Sequence, residues 1–369
     1  NGGDPVFASG VVYSTNPMPV LFGLGVVDST TNPLVTLGSF TSPIGGLMHS
    51  TKYYYRAYAT NSIGTAYSVE DSFTTSPVIS VLPYLQNFDS IGNTGWGSEI
   101  VTGTLNNWVV GAPTKTIISG SYSAPNAWIT GLAIAYENNH DAVLVSPQFD
   151  FTGQTSNTIL RFKHKFATEG CCDGGYLEIS IGGGAWTKIE NVVGTGANFN
   201  TINGTAWYNG TARGNSWNNL SSAFSTAVNG WITSSISLPG TANQSNVKIR
   251  FRFISDISSV NDGWAIDDIE VFAPTAPTVV TGTKTNVTTS GVTLAGNITN
   301  NGGNAITASG FVISTSAAPV RGGFGVVDSA TNPLVTGGAF TVNVGNLFTA
   351  TTYYYRAYAV NGVGTSYGA

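Results

Sequence analysis

The sequence predicts an all-β chain of tandem β-sandwiches, and three observations carry that prediction. Strand formers such as Val, Thr, Tyr and Ile alternate with Gly, Asn and Ser along the whole chain, the rhythm of short strands joined by turns. No stretch free of Gly or β-branched residues sustains an i, i+3, i+4 apolar pattern, so no helix is expected. Finally, residues 1–68 align without a gap on 301–368 with 40 identical positions, which makes the chain two copies of one module with different material between them. A length of 369 residues also calls for two or three separate cores.

Charge excludes some partners. Only 9% of residues are charged, against roughly a quarter in an average soluble protein. The net charge is −5 and the 14 Lys and Arg are scattered singly, which leaves no basic footprint for nucleic acid or an anionic membrane. No apolar run approaches the roughly 18 to 20 residues that cross a bilayer, and no signal-like segment opens the chain. A surface built from Thr, Ser and Asn fits an extracellular protein.

The copies come first. "NGGDPVFASGVVYST" at 1–15 returns as "NGGNAITASGFVIST" at 301–315, and "YYYRAYATNSIGTAY" at 53–67 as "YYYRAYAVNGVGTSY" at 353–367. Tyr53, Tyr55 and Ala57 alternate with Tyr54, Arg56 and Tyr58, the period of a strand with two distinct faces. Leu47, Thr51 and Tyr53, like Leu347, Thr351 and Tyr353, resemble the Leu-x-x-x-Thr-x-Tyr corner of the fibronectin type III family, in the variant common in surface proteins of Bacteroidota. The resemblance implies that Tyr53 and Tyr353 turn their hydroxyls back onto nearby backbone. A long insertion at about 16–46 and 316–346 departs from that family and leaves the middle-strand register open.

The stretch between the copies holds all eight Trp and both Cys. Its segments "NFDS" at 87–90, "AVLVSPQFDF" at 142–151, "LRFKHKF" at 160–166, "DGGYLEISIGGGAW" at 173–186, "VKIRFRFISD" at 247–256 and "DGWAIDDIEV" at 263–271 together resemble the MAM-like jelly roll, especially the accessory domain of immune-inhibitor-A-type metallopeptidases. The resemblance implies two packed antiparallel sheets. The residues agree, since Ile249, Phe251 and Phe253 alternate with Lys248, Arg250 and Arg252 as in a half-buried strand. The expected division is a fibronectin-like module at 1–76, a jelly roll at 77–275 and a second fibronectin-like module at 276–369.

The peptidase that accompanies such accessory domains has no counterpart here. Of three His, namely His49, His140 and His164, none begins an H-E-x-x-H, the spacing that lets two imidazoles reach one Zn²⁺. The chain is therefore expected to be non-catalytic. The jelly-roll resemblance implies a structural Ca²⁺ at Asp89 and the Asp267–Asp268 pair, with Asp141 as a weaker candidate, because hard oxygens suit that ion; turn capping and pairing with Arg are the other reading of these carboxylates. Asp267 and Asp268, being adjacent, start on opposite faces unless a bulge intervenes. Cys171 and Cys172 are adjacent too, and a vicinal disulfide and two free thiols both stand open. Trp207, Tyr208 and Trp217 form a weak sugar-stacking candidate, set against the reading that they anchor a loop. Ser29, Ser329 and Ser90 follow Asp as O-glycosylated serines do in proteins exported by Bacteroidota.

Function follows from the repetition. The leading reading is a structural and adhesive repeat segment of a large secreted adhesin or filament on a bacterial cell surface. Its joints, "TTSPVISVLP" at 74–83 and "FAPTAPTVV" at 272–280, are short and carry Pro, which limits bending. Its partners are neighbouring repeats, surface polysaccharide or other adhesin subunits, and the Bacteroidota resemblance implies type IX export and a role in gliding or attachment. The alternative is a carbohydrate-binding accessory region of a large secreted hydrolase. The first copy lacks opening strands like those of 278–300 and the second lacks a closing strand like "VEDSFTTSP" at 69–77, so the chain is expected to continue with a period of about 300 residues.

Overall fold

The computed structural model describes residues 2–90, 92, 94–102, 108–168, 173–189, 200–202, 205–209, 211–212, 215–216 and 230–369. Among them no helix forms, and the chain is all-β. Strand pairing falls into three blocks, 8–74, 78–272 and 278–367, and among the described residues no strand pairs from one block to another.

In the first block, Ala8–Ser14 lies between Val27–Thr30 and the long strand Lys52–Asn61. Gly64–Tyr67 and Asp71–Thr74 both pair with Lys52–Asn61 and complete the sheet. The third block repeats the arrangement with Ala308–Ser314, Val327–Ala330, Tyr354–Val360 and Thr365–Tyr367. The insertion thus supplies an edge strand, and it crosses so closely that a Cβ on Gly10 or Gly310 would lie 2.5 or 2.3 Å from the carbonyl oxygen of Ser29 or Ser329. The tyrosine corner is present in both copies: the Tyr53 hydroxyl accepts from Met48 N and the Tyr353 hydroxyl from Phe348 N, each at 3.1 Å.

A second sheet, Thr278–Thr285, Val292–Asn300 and Gly338–Val344, covers the third block. Between the sheets lie Leu294, Ile298, Phe311, Ile313, Phe340 and Val342. In the first block, 38–44 pair with no strand, whereas 338–344 lie along Val292–Asn300. Backbone that has no neighbouring strand has no ladder to join. The difference reaches the core positions, for Phe311 is fully buried while its counterpart Val11 is only half-buried.

The central block is two packed sheets. One centres on Gly263–Phe272, flanked by Ile159–Ala167 on one side and by Ala127–Thr130 and Tyr84–Gln86 on the other. The other centres on Val247–Ile254, between Asp141–Val145 and Gly174–Ile181. As the alternation predicts, Ile249, Phe251 and Phe253 are buried and pack with Phe162, Phe166 and Trp264. Arg250 and Arg252 face outward, where they pair with Glu178 at 2.6 Å and Asp141 at 2.6 Å.

Both joints are structured. Val78–Ile79, in the first linker, pairs with Gln148–Phe149 and so belongs to a central sheet. At the second joint Thr275 N donates to Gly302 O at 2.8 Å, and Asn361 Nδ2 donates to Thr275 O at 2.7 Å and Asn301 O at 2.8 Å. Gly303 packs so near Phe272 that a Cβ would lie 2.7 Å from its ring.

One irregularity decides which residues enter the core. Lys163 lies opposite Asp267 and Arg161 opposite Glu270, so Asp268 and Ile269 together face Phe162 in a β-bulge. The bulge puts Trp264, Ile266, Ile269 and Val271 all inside. Strict alternation would have sent Asp268 into the core and Ile269 out of it. Asp268 sits there at φ +42°, a region that suits Gly, Asn and Asp and costs a β-branched residue roughly 1–2 kcal/mol. Asp268→Val is therefore expected to destabilise the protein by about that amount and Asp268→Gly to be nearly neutral, as urea unfolding will read.

Candidate functional site

The strongest polar constellation lies where three segments of the central sandwich meet. Asp267, fully buried, leaves the core sheet toward the loop 122–126. Its Oδ2 accepts from Tyr122 N at 2.8 Å and Ser123 N at 2.9 Å, and its Oδ1 from Asp268 N at 2.8 Å and Ser123 Oγ at 3.2 Å. The same loop reaches the first strands of the domain: Asn126 N donates to Asp89 Oδ1 at 3.4 Å and Asn126 Nδ2 to Phe88 O at 3.3 Å. Asp89 and Asp267 are thus joined through one loop. Burial pushes the Asp267 carboxyl up to about 7, against the pull of the backbone N–H groups of Asp268, Ser123 and Tyr122.

The other two carboxylates lie elsewhere. The bulge carries Asp268 to an outer groove that also holds Arg161, Lys163 and Glu270. Asp141 sits in the opposite sheet, with both oxygens bound by Arg252, Nε at 2.8 Å and a terminal NH₂ at 2.6 Å. Among the described residues no three His, Cys, Asp or Glu side chains are grouped as metal ligands. The donors that Asp89, Asp267 and the carbonyls of Asn87 and Phe88 offer are nonetheless all hard oxygens, the kind that Ca²⁺ takes.

A second site had no sequence signal. Lys115 is buried, and its ammonium donates to Thr130 O at 2.6 Å and to Asp262 O. Asp262 Oδ2 in turn accepts from Ile117 N at 2.6 Å and Ile118 N at 2.8 Å. Burial pulls the Lys115 ammonium down to about 8. Two carbonyls, that of Thr130 and that of Asp262 147 residues away in sequence, hold the ammonium where the chain turns between strands, and the charge of Asp262 opposes the effect of burial.

The remaining candidates divide. Ser29 is half-buried, its hydroxyl 2.6 Å from that of Ser42; Ser329 is half-buried and Ser90 exposed. Trp207 and Tyr208 lie on the strand Thr205–Asn209, but their side chains, like Trp217, Cys171 and Cys172, fall outside what is described. Trp186, after the turn at 181–184, lies against the guanidinium of Arg250 at 4.3 Å.

No family model matches the chain, and no curated protein does. Among solved structures, the K1 cleaved adhesin domain of Lys-gingipain from Porphyromonas gingivalis W83 is similar at 14% identity, over 53% of this chain and 100% of that one, with a TM-score of 0.31. The chicken CNTN1 FN1–FN3 domains are similar at 11% identity, over 99% and 87%, with a TM-score of 0.20. The glycoside hydrolase domain of Endo-D from Streptococcus pneumoniae R6 is similar at 13% identity and a TM-score of 0.27, and the match covers 74% of this chain but 37% of that one. At such scores these likenesses carry no functional inference.

His164 illustrates how a titratable group serves the core. It is fully buried, its Nδ1 accepting from Trp264 Nε1 at 3.1 Å and its Nε2 lying 2.9 Å from Ser234 Oγ. That pairing needs the neutral ring, with the proton on Nε2. Burial pulls its pKa from 6.5 down to about 3. The unfolded chain then binds a proton that the native state refuses, so this contribution to stability is complete above about pH 6.5 and falls as pH drops toward 3. A loss of about 2 kcal/mol by pH 5 is expected, at roughly 1.4 kcal/mol per pH unit. His164→Gln, which keeps one acceptor and one donor, is expected to flatten that slope by one proton in urea titrations at pH 8 and pH 5.

Proposed function

We propose that the chain is a load-bearing, adhesive segment of a secreted cell-surface protein: sandwiches of two kinds alternate and hold binding surfaces at a distance from the cell. The observation that carries this reading is the treatment of the joints. Neither linker runs free, since one is drawn into a central sheet at Val78–Ile79 and the other is pinned through Thr275, Gly302 and Asn361. An enzyme that tethers accessory domains gains from slack, whereas a spacer gains from stiffness. The role is non-catalytic, and export to the surface, glycosylation at Ser29 and Ser329, and attachment or gliding belong to the same proposal.

The joint gives the direct test. Asn361→Asp keeps the Oδ1 that accepts from Val363 N and Gly364 N but replaces the amide that clamps Thr275 and Asn301. Small-angle scattering of the wild type is expected to show one extended shape. The variant is expected to show a broader, on average shorter distance distribution with unchanged strand content, and identical curves would remove the stiff joint.

Calcium is proposed at the seam between Asp89 and Asp267, where it would tie the ends of the central domain together. Chelator is expected to lower the melting transition of that domain and leave the flanking modules unmoved. An unchanged transition would take the ion out of the proposal.

A further inference from the structure

The outer face of one central sheet carries a groove of about 520 Å³, within the roughly 300–1,000 Å³ of small-ligand sites. Three neighbouring strands make its floor, and their register sorts its side chains into rows. In one row Leu85 of Tyr84–Gln86 lies opposite Glu270 of Gly263–Phe272, and Glu270 opposite Arg161 of Ile159–Ala167. Two residues along the same strands, Asn87, Asp268 and Lys163 line the same groove. Each row therefore holds one carboxylate and one cation.

The cations are held in place by packing. The Arg161 guanidinium lies 4.6 Å from the centre of the Phe272 ring and donates to Glu270 at 2.8 Å. The Lys163 ammonium lies 4.4 Å from the centre of the Tyr122 ring and donates to Thr233 Oγ1 at 2.7 Å, which takes one of its three N–H donors. Groups fixed in this way lose little freedom when a ligand arrives. Asp268 is different. The bulge sets its backbone at φ +42°, and among the described residues its carboxylate accepts no hydrogen bond, its backbone N–H alone being engaged, by Asp267. Beside these polar groups Leu85 stands 68% exposed.

We propose that this groove is a saccharide-binding site whose ligand is a neutral glycan. A hydroxyl is both donor and acceptor, so a pair of neighbouring hydroxyls gives a proton to the carboxylate of a row and accepts one from its ammonium or guanidinium. Such bonds to ionised groups are the strong ones. The balance of charge sets the class of ligand: a phosphate or a uronic acid would meet Asp268 and Glu270, and a basic peptide would meet Arg161 and Lys163. Rejection of charged ligands of either sign is built into the same rows that hold a neutral one. Leu85 supplies the apolar surface against which the C–H face of a sugar ring packs. The inference rests on the adhesive reading above and deepens it by naming a surface and a class of ligand.

The test passes the full 369-residue chain over an array of oligosaccharides of glucose, galactose, mannose, xylose and N-acetylhexosamines, set beside uronic, sialylated and sulfated ones. Calorimetry then gives the affinity for the strongest neutral binder. Neutral glycans are expected to bind in preference to acidic ones. Asp268→Gly, which suits the φ of that position, is expected to weaken binding about tenfold or more, and Leu85→Ala about threefold or more, with the melting temperature unchanged in both. Four results overturn the proposal: no neutral glycan bound, an acidic glycan preferred, affinity unchanged in both variants, or the peptide Lys-Asp-Lys-Asp displacing the glycan as well as free glycan does. Failure of the spacer reading would show instead in the scattering of Asn361→Asp, so the two can fall separately.

Discussion

One strand, Gly263–Phe272, holds the central sandwich together and couples it to its neighbour. It lies between Ile159–Ala167 on one edge and Ala127–Thr130 with Tyr84–Gln86 on the other, so its pleat sets the register of the whole sheet. From its inner face come Trp264, Ile266, Ile269 and Val271, and from its outer face Asp267, which gathers the loop 122–126. Its last residue, Phe272, abuts Gly303 of the following module. The bulge at Asp268 is what allows one strand to meet all these demands. A two-residue period cannot keep four apolar side chains on one face across an inserted polar residue unless one residue is taken out of register.

The two copies act as an internal control on what sequence alone determines. Segments 38–44 and 338–344 share Gly, Phe and Thr at matching positions, yet only the second is a strand, because only it lies beside Val292–Asn300. The start of Lys52–Asn61 is a strand and its counterpart is not, because only the first has Asp71–Thr74 alongside. Edge pairing therefore decides local conformation where propensity is nearly equal, the context dependence expected of β-structure. Elements that find all their contacts inside the shared stretch, such as the tyrosine corner and the hydrogen bond of about 2.7 Å between Ser9 and Thr31 or Ser309 and Thr331, are the same in both.

That comparison explains what could be read from the chain. Alternation located the strand of Phe251 and Phe253 and told its inner from its outer face, since a period of two is a local signal. The tyrosine corner was legible for the same reason, its partners being five residues apart. Tyr58 is not: alternation puts it on the face opposite Tyr53, yet both are buried, because Asp28 and Thr30 of the insertion lie against it on the second face. The candidate site was half legible. Asp89 and Asp267 are indeed linked, but by backbone N–H groups of residues 122–126 that carry no motif, and Asp141 is claimed by an arginine from a distant strand. Lys115 and Asp262 were invisible, for a buried ammonium caged by carbonyls depends on backbone geometry that residue types do not encode. Likewise nothing in the residue types marks Gly175, whose Cβ would lie 2.3 Å from the Trp264 ring.

The placement of charge completes the mechanical argument. With so few ionic groups, the central domain concentrates them on the outer face of one sheet, where Arg250, Glu178, Arg252 and Asp141 form a ladder across three adjacent strands. Each of these pairs is partly shielded, so the ladder ties neighbouring strands laterally rather than merely decorating a solvated surface. Tension along a stalk would enter the domain through Val78–Ile79 in one sheet and leave through Gly263–Phe272 in the other. The load therefore crosses the aromatic core, and separating the sheets would have to expose Phe162, Phe251 and Trp264 together. Each linker is short and partly tied to a neighbouring module, Val78–Ile79 by its pairing with Gln148–Phe149 and Thr275 by its bonds to Gly302 and Asn361. In the proposed spacer role, short tied joints and a cohesive aromatic core would serve the same end.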